Sequence, residues 1–243
     1  MQLLVLEGAH VEAEFREKFG PGHSYTFWQE TPLDPSSFEA FEATWEEQYD
    51  EQQAALAAHL AAADVVFAFR AAADLPPPAP AVVLFVEATT QALAGTHFGP
   101  GGDRTTAVYG FCGLPTLLNR PLLEVSVVDG GDEAPLREVC EKLGTAYRVV
   151  ADRVGLVTPR VLAMLVNEAC YTLQEGTASA PDIDRAMQLG TNYPRGPLAW
   201  GDALGPARVV AVLDATYENT HDGRYRACPL LRTRALLGEA LSG

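Results

Sequence analysis

The sequence predicts an α/β chain in two parts, a mostly parallel sheet domain over residues 1–151 followed by an all-α domain over residues 152–243. Two observations carry that expectation. Short apolar runs recur through the first part, at 1–6, 24–28, 64–69, 81–86 and 146–151, separated by segments of helical spacing or turn residues, as strands alternate with the helices that cover them. In the second part Val161, Leu162, Leu165, Val166, Ala169, Cys170 and Leu173 recur at helical spacing, so one apolar stripe faces a partner, and Gly176 follows as a terminator.

Composition narrows the class. The chain has 243 residues, 48% of them hydrophobic, enough to bury a proper core. No apolar run approaches the roughly 20 residues that span a bilayer, and no charged start precedes an apolar block, so a cytoplasmic protein without a membrane partner is expected. Cys112, Cys140, Cys170 and Cys228 lie far apart with no C-x-x-C pair. That spacing indicates neither a zinc site nor a disulfide framework, and the thiols are expected to be reduced with no metal bound. The formal charge of −15 disfavours nucleic acid and anionic membrane, and it weighs against any phosphate-rich ligand unless local basic residues offset it.

In chain order, 1–6 reads as a buried first strand that ends in Glu7-Gly8. A tight turn at Gly20 leads to a second strand, Ser24–Trp28. Residues 32–63 are acidic and then alanine-rich, with Phe38, Phe41, Trp45 and Tyr49 at helical intervals, so one or two helices cover the sheet here. The strand 64–69 has an aromatic stripe expected to serve as core. Pro76, Pro77, Pro78 and Pro80 cannot propagate a helix, which makes 70–80 a stiff, partly extended linker. Strands follow at 81–86 and ahead of Gly110, then a helix at 135–143, a last strand at 146–151 and a hinge at Asp152-Arg153. Beyond the striped helix, Ser179 stands three residues ahead of Asp182 with Pro181 between them, a cap, first-turn proline and first-turn acid. The helix they open is expected to run through Met187 and stop at Gly190. A turn over 192–197 leads into Trp200, and Pro206 opens a further helix.

The order of these punctuation marks is specific. A helix with N-E-A, then E-G, A-S-A-x-D-I-D-x-A-M, L-G and Y-P-x-G-P-L-x-W-x-D-x-L-G resembles the C-terminal helical domain of the 3-hydroxyacyl-CoA dehydrogenase family, NAD-dependent oxidoreductases of fatty acid metabolism. The resemblance implies a Rossmann-like first domain and dimerisation through the helical domain. It also implies positions for the chemistry. The family's G-x-G-x-x-G turn, which brings backbone against a pyrophosphate at a helix N-terminus, falls on Glu7, Ala9 and Glu12, and only Gly8 offers a glycine, one residue out of register. Gln29 or Glu30 stands where an acid holds the adenine ribose. Glu87 takes the place of the serine that bonds the substrate oxygen, with Thr89 and Thr90 as remaining donors.

In the same resemblance Val108 to Pro115 matches the segment of the catalytic histidine, with Cys112 in its place. A neutral thiol titrates about two units above imidazole and is a poor base near pH 7. His97-Phe98-Gly99-Pro100 mimics the motif without its strand. Glu124 matches the glutamate that orients the histidine, and Pro159 replaces the asparagine that polarises the substrate carbonyl, with Arg160 beside it.

With three glycines, the serine, the histidine and the asparagine all altered, the expectation is a catalytically degenerate family member. It is expected to keep the scaffold for an acyl-CoA or a partner protein and to bind NAD poorly. The alternative is an active NAD-dependent 3-hydroxyacyl-CoA dehydrogenase rebuilt on His97, Cys112 and Glu124. A homodimer is expected, centred on residues 160–215, because Val161, Leu165, Val166, Cys170, Leu173 and 209–213 carry more apolar surface than one bundle buries.

Overall fold

The computed structural model describes residues 1–31, 41–70, 82–96 and 107–243, with the side chains of 41–46 and 96 set aside. The proline linker, apart from Arg70 at its start, and the His97 motif lie outside the described residues. Strands β1 (Gln2–Leu6), β2 (Ser24–Trp28), β3 (Val65–Ala68), β4 (Val83–Glu87), β5 (Ala107–Phe111), β6 (Leu122–Val127) and β7 (Ala146–Ala151) form one sheet in the order β2-β1-β3-β4-β5-β6-β7. The first five are parallel. β6 turns back antiparallel to β5, and β7 pairs parallel to β6. The reversal has a chain-length cause: only ten residues separate Phe111 from Leu122, and a parallel crossover needs about a dozen or more.

Both faces of the sheet are covered, which is why its central strands read as continuous apolar runs rather than alternating ones. One face packs Leu3, Val5, Phe67, Phe85, Phe111 and Val125 against α1 (Glu12–Phe19) and α4 (Ala134–Leu143). The other packs Leu4, Leu6, Val66, Leu84 and Val86 against Leu56 and Leu60 of α2 (Phe41–Ala62) and Leu93 of the single-turn α3 (Leu93–Thr96).

The second part is helical: α5 (Thr158–Gln174), α6 (Ala180–Thr191), α7 (Pro197–Leu204), α8 (Pro206–Thr220) and α9 (Pro229–Leu237). Ser179 caps α6, its hydroxyl accepting from the Asp182 amide. Two boundaries differ from the sequence reading. α6 passes through Gly190 and ends at Asn192, which takes the left-handed conformation at φ 57°, a role asparagine fills almost as readily as glycine. A separate short helix, α7, starts at Pro197 and holds Trp200, ahead of the one that Pro206 opens.

The apolar stripe of α5 also turns out differently. Val166 and Cys170 face inward, as do Val209, Val212 and Leu213 of α8, all at most 1% exposed in a core with Leu198 and Leu231. The surplus that suggested a dimer on those residues is consumed within the chain. On α5, Val161 remains 54% exposed, with Met164 and Leu165 half-buried beside it. Residues 239–243 fold back on the bundle, burying Leu241 against Gly201 and Val166. Among the described residues no helix is long and apolar enough to cross a membrane, and no cluster of side chains is suited to hold a metal ion.

Candidate functional site

The carboxyl ends of the sheet strands and the helical core are continuous, because Ala88, Cys112, Leu114 and Leu117 join the cluster built by α5 to α9. Carboxylates stitch this joint and the helical part, most of them by accepting from orphan amides at helix starts. Glu124 of β6 accepts from Val157 (2.5 Å) and Thr158 (3.0 Å) at the start of α5. Asp152 accepts from Leu93 and Ala94 at α3 and from the Ser126 hydroxyl. Asp184 accepts from Leu198 and Ala199 at α7, and Asp202 accepts from Leu241 and Ser242. The aspartates of the D-I-D and W-x-D motifs thus have structural work. Glu124, matched in sequence to a histidine-orienting residue, has its carboxylate turned to the α5 backbone.

Chain order reverses between β1 and β3, and the crevice outside their carboxyl ends is where such sheets take ligands. Here the ring of Phe69 stands in it. The Phe69 amide donates to Leu6, and its ring packs edge-on to His10, Phe15 and Phe111. A Cβ at Gly8 would come within 2.7 Å of that ring, and one at Gly113 within 2.4 Å, so both turns close on Phe69 only because they carry glycine. Burial and the charge of Arg208 hold His10 below its ordinary pKa, keeping it neutral.

Glu7 and Glu12, which the resemblance puts on the family's glycine positions, do not fill this crevice. Glu7, with φ 57°, accepts from the Glu30 amide at 2.8 Å, across the end of β2. Glu12 is half-buried and pairs with Arg16 at 2.7 Å. Ala9 begins a short 3-10 turn ahead of α1, and neither helix start has a side-chain cap. Gln29 is exposed, and Glu30 lies 3.4 Å from Arg70. Glu7 and Glu30 come together, whereas Glu12 stands apart from them. The aromatic residue closing the crevice was read in sequence as core. Its signal was a ring one residue beyond a strand at the reversal of chain order, visible only once strand order is known.

Further along the joint, Glu87 accepts from the amides of Thr89 (3.2 Å) and Gly113 (3.4 Å). Burial raises its pKa, and these hydrogen bonds offset part of the rise. Cys112 is 4% exposed, and burial first, then the neighbouring Glu87 charge, push its thiol well above the ordinary value, so it stays protonated. Pro159 is buried in the first turn of α5, where its missing amide costs nothing. Arg160 donates to the Val154 carbonyl and lies over the Tyr225 ring at 5.6 Å. The fold therefore brings Cys112, Glu87 and Glu124 to one joint.

Cys112 and Glu124 line a cleft of about 510 Å³ between β6–β7 and the start of α5. Leu117, Pro121, Leu122, Val150 and Val157 supply apolar wall, and Arg120 and Arg148 bring positive charge that sequence reading had passed over.

A largely parallel sheet with a reversal of chain order at β1 and β3, followed by a helical bundle packed on its strand ends, defines the class of Rossmann-plus-helical two-part proteins. Residues 155–241 match the family described as 3-hydroxyacyl-CoA dehydrogenase, C-terminal domain. It is 47% identical over 97 residues to 3-hydroxyadipyl-CoA dehydrogenase of Escherichia coli K12, covering 40% of this chain and 20% of that protein. It is 32% identical over 152 residues to 3-hydroxybutyryl-CoA dehydrogenase of Bradyrhizobium diazoefficiens, covering 60% and 51%. The chain thus spans about half the length, or less, of these curated relatives. Its fold is similar to M. tuberculosis FadB2, with a TM-score of 0.71 at 18% identity, covering 98% of this chain and 94% of that one. It is also similar to (S)-3-hydroxybutyryl-CoA dehydrogenase from Ralstonia eutropha, with a TM-score of 0.66 at 19% identity and the same coverage.

Proposed function

We propose that this protein keeps the 3-hydroxyacyl-CoA dehydrogenase scaffold without the dehydrogenase reaction and works in the cytoplasm by binding an acyl-CoA or a partner at the joint of its two parts. In this reading residues 1–151 are a dinucleotide-type domain that no longer takes its cofactor, and 152–243 are the dimerisation domain. The observation that carries it is the Phe69 ring between Gly8 and Gly113. A dinucleotide pyrophosphate needs open backbone at the turn after β1, and a ring within van der Waals contact of that turn leaves no such surface. The residues present do not fit NAD.

The chemistry of the joint agrees with this. A base must be unprotonated near neutral pH, and burial keeps the Cys112 thiol protonated. Glu124 is engaged by two amides, and Pro159 has no side-chain donor. Titration calorimetry tests the reading. The chain takes up butyryl-CoA saturably, NADH at millimolar concentration leaves its melting temperature unchanged, and acetoacetyl-CoA causes no loss of NADH absorbance. Saturable NADH binding with turnover refutes the proposal in favour of an active dehydrogenase.

For the homodimer, the face left on α5 is Val161 with Met164 and Leu165. Sedimentation at micromolar concentration gives a dimer, and Val161→Asp gives a monomer. A monomeric unmodified chain removes this part of the reading.

A further inference from the structure

The cleft between β6–β7 and α5 has a charge balance that points to the kind of ligand it holds. Its ionised side chains are Glu124, Arg120 and Arg148, and the Cys112 thiol is neutral. In the parallel pairing of β6 with β7, Glu124 lies directly across from Arg148, the cross-strand neighbour that would ordinarily neutralise it. That pair does not form. The Glu124 carboxylate is captured by the Val157 and Thr158 amides, which leaves Arg148, among the described residues, with a 3.3 Å contact to the adjacent Tyr147 carbonyl and no carboxylate partner.

Arg120 is similarly uncommitted. Its Nε reaches the Thr116 carbonyl at 3.4 Å and its guanidinium lies 5.5 Å from the Trp200 ring, with no carboxylate in ion-pair range among the described residues. Two guanidiniums thus face one apolar-walled cleft in a chain of net charge −15, whose wider field repels anions. Such a site favours an anion only where the ligand also gains from apolar contact. The planar donor fork of arginine matches a carboxylate in two-point fashion, and the cleft volume of about 510 Å³ suits a small ligand with a chain.

Resting on the reading that this joint is the working ligand site, we propose that its ligand carries a carboxylate on an apolar chain, the carboxylate meeting Arg120 and Arg148 and the chain lying against Leu117, Val150 and Val157. Recognition of the free carboxylate is a property of these two arginines.

Octanoate is the probe, titrated calorimetrically into the full chain, with octanol and inorganic phosphate as comparisons. Octanoate binds saturably at one site per chain and shifts Trp200 emission, and octanol does neither. Arg120→Gln and Arg148→Gln each weaken octanoate about tenfold, and raising salt from about 0.05 to about 0.5 M weakens it further. Both arginines are exposed, so each variant keeps the parent melting temperature, which is measured alongside. Octanoate affinity unchanged in the double variant overturns the inference, as does phosphate binding through the same arginines while octanoate does not bind. Butyryl-CoA binding that persists while octanoate fails sinks this inference and leaves the proposed function standing. Octanoate binding with the stated arginine dependence, in a chain that ignores butyryl-CoA, does the reverse.

Discussion

Replacing Glu124 separates a structural carboxylate from a catalytic one. In Glu124→Ala the amides of Val157 and Thr158 lose a charged acceptor at 2.5 and 3.0 Å, and α5 begins without a cap. A hydrogen bond to a charged group contributes about 1.5–3 kcal/mol, and loss of a cap costs about 0.5–2 kcal/mol. The two descriptions overlap, since the same bonds do the capping, and water reaches the half-exposed Val157 side, so the expected loss is about 2 kcal/mol. For a chain of this length each kilocalorie lowers the melting temperature by about 2–4 °C, giving a fall of about 4–8 °C. Glu124→Gln keeps one carbonyl acceptor but loses the charge that favours a helix N-terminus, so its fall is about half as large. Circular dichroism melts at one pH and salt measure both. Hydrogen exchange adds a local reading, with faster exchange at Thr158 and unchanged exchange at Phe67 in the sheet. If Glu124→Ala melts within about 1 °C of the parent, the carboxylate does not hold the joint and the reasoning fails.

Other replacements test the crevice and the buried carboxyl. Phe69→Ala removes a ring packed on His10, Phe15 and Phe111 and costs about 2–4 kcal/mol. It also opens the space beside Gly8, so NADH raises its melting temperature slightly, whereas Glu7→Gly with Glu12→Gly gives no response because those carboxylates lie elsewhere. The opposite ranking in a thermal-shift assay refutes the assignment of Phe69 as the filler. Glu87 has a raised pKa in the fold, so the folded chain binds its proton more tightly than the unfolded one. Its contribution to stability is complete below the ordinary value near 4.5 and is lost as pH rises through the folded value. Glu87→Gln, which keeps an acceptor for Thr89 and Gly113, therefore melts higher than the parent at pH 8, with the gap closing towards pH 4. A variant less stable at pH 8 contradicts the burial argument.

Residue order alone determined much of this protein. Burial on both faces makes β1 and β3 continuous apolar runs, and a cap such as Ser179 is a local hydrogen bond, so the strands at 1–6 and 64–69 and the start of α6 were legible within a few residues. The ordered motifs of the helical part were legible for the same reason. The α6 end was misplaced because glycine only weakens a helix, whereas the left-handed Asn192 ends it. Local pattern has no access to partners distant in sequence. The reversal of β6, the inward turn of Val166 and Cys170, the capture of Glu124 by amides 33 and 34 residues away, and the seating of Phe69 between Gly8 and Gly113 depend on which segments become neighbours. The sequence placed charge at the turn after β1, and the tertiary structure put an aromatic ring there, because packing is decided by the strand that arrives alongside and not by the residues that precede it.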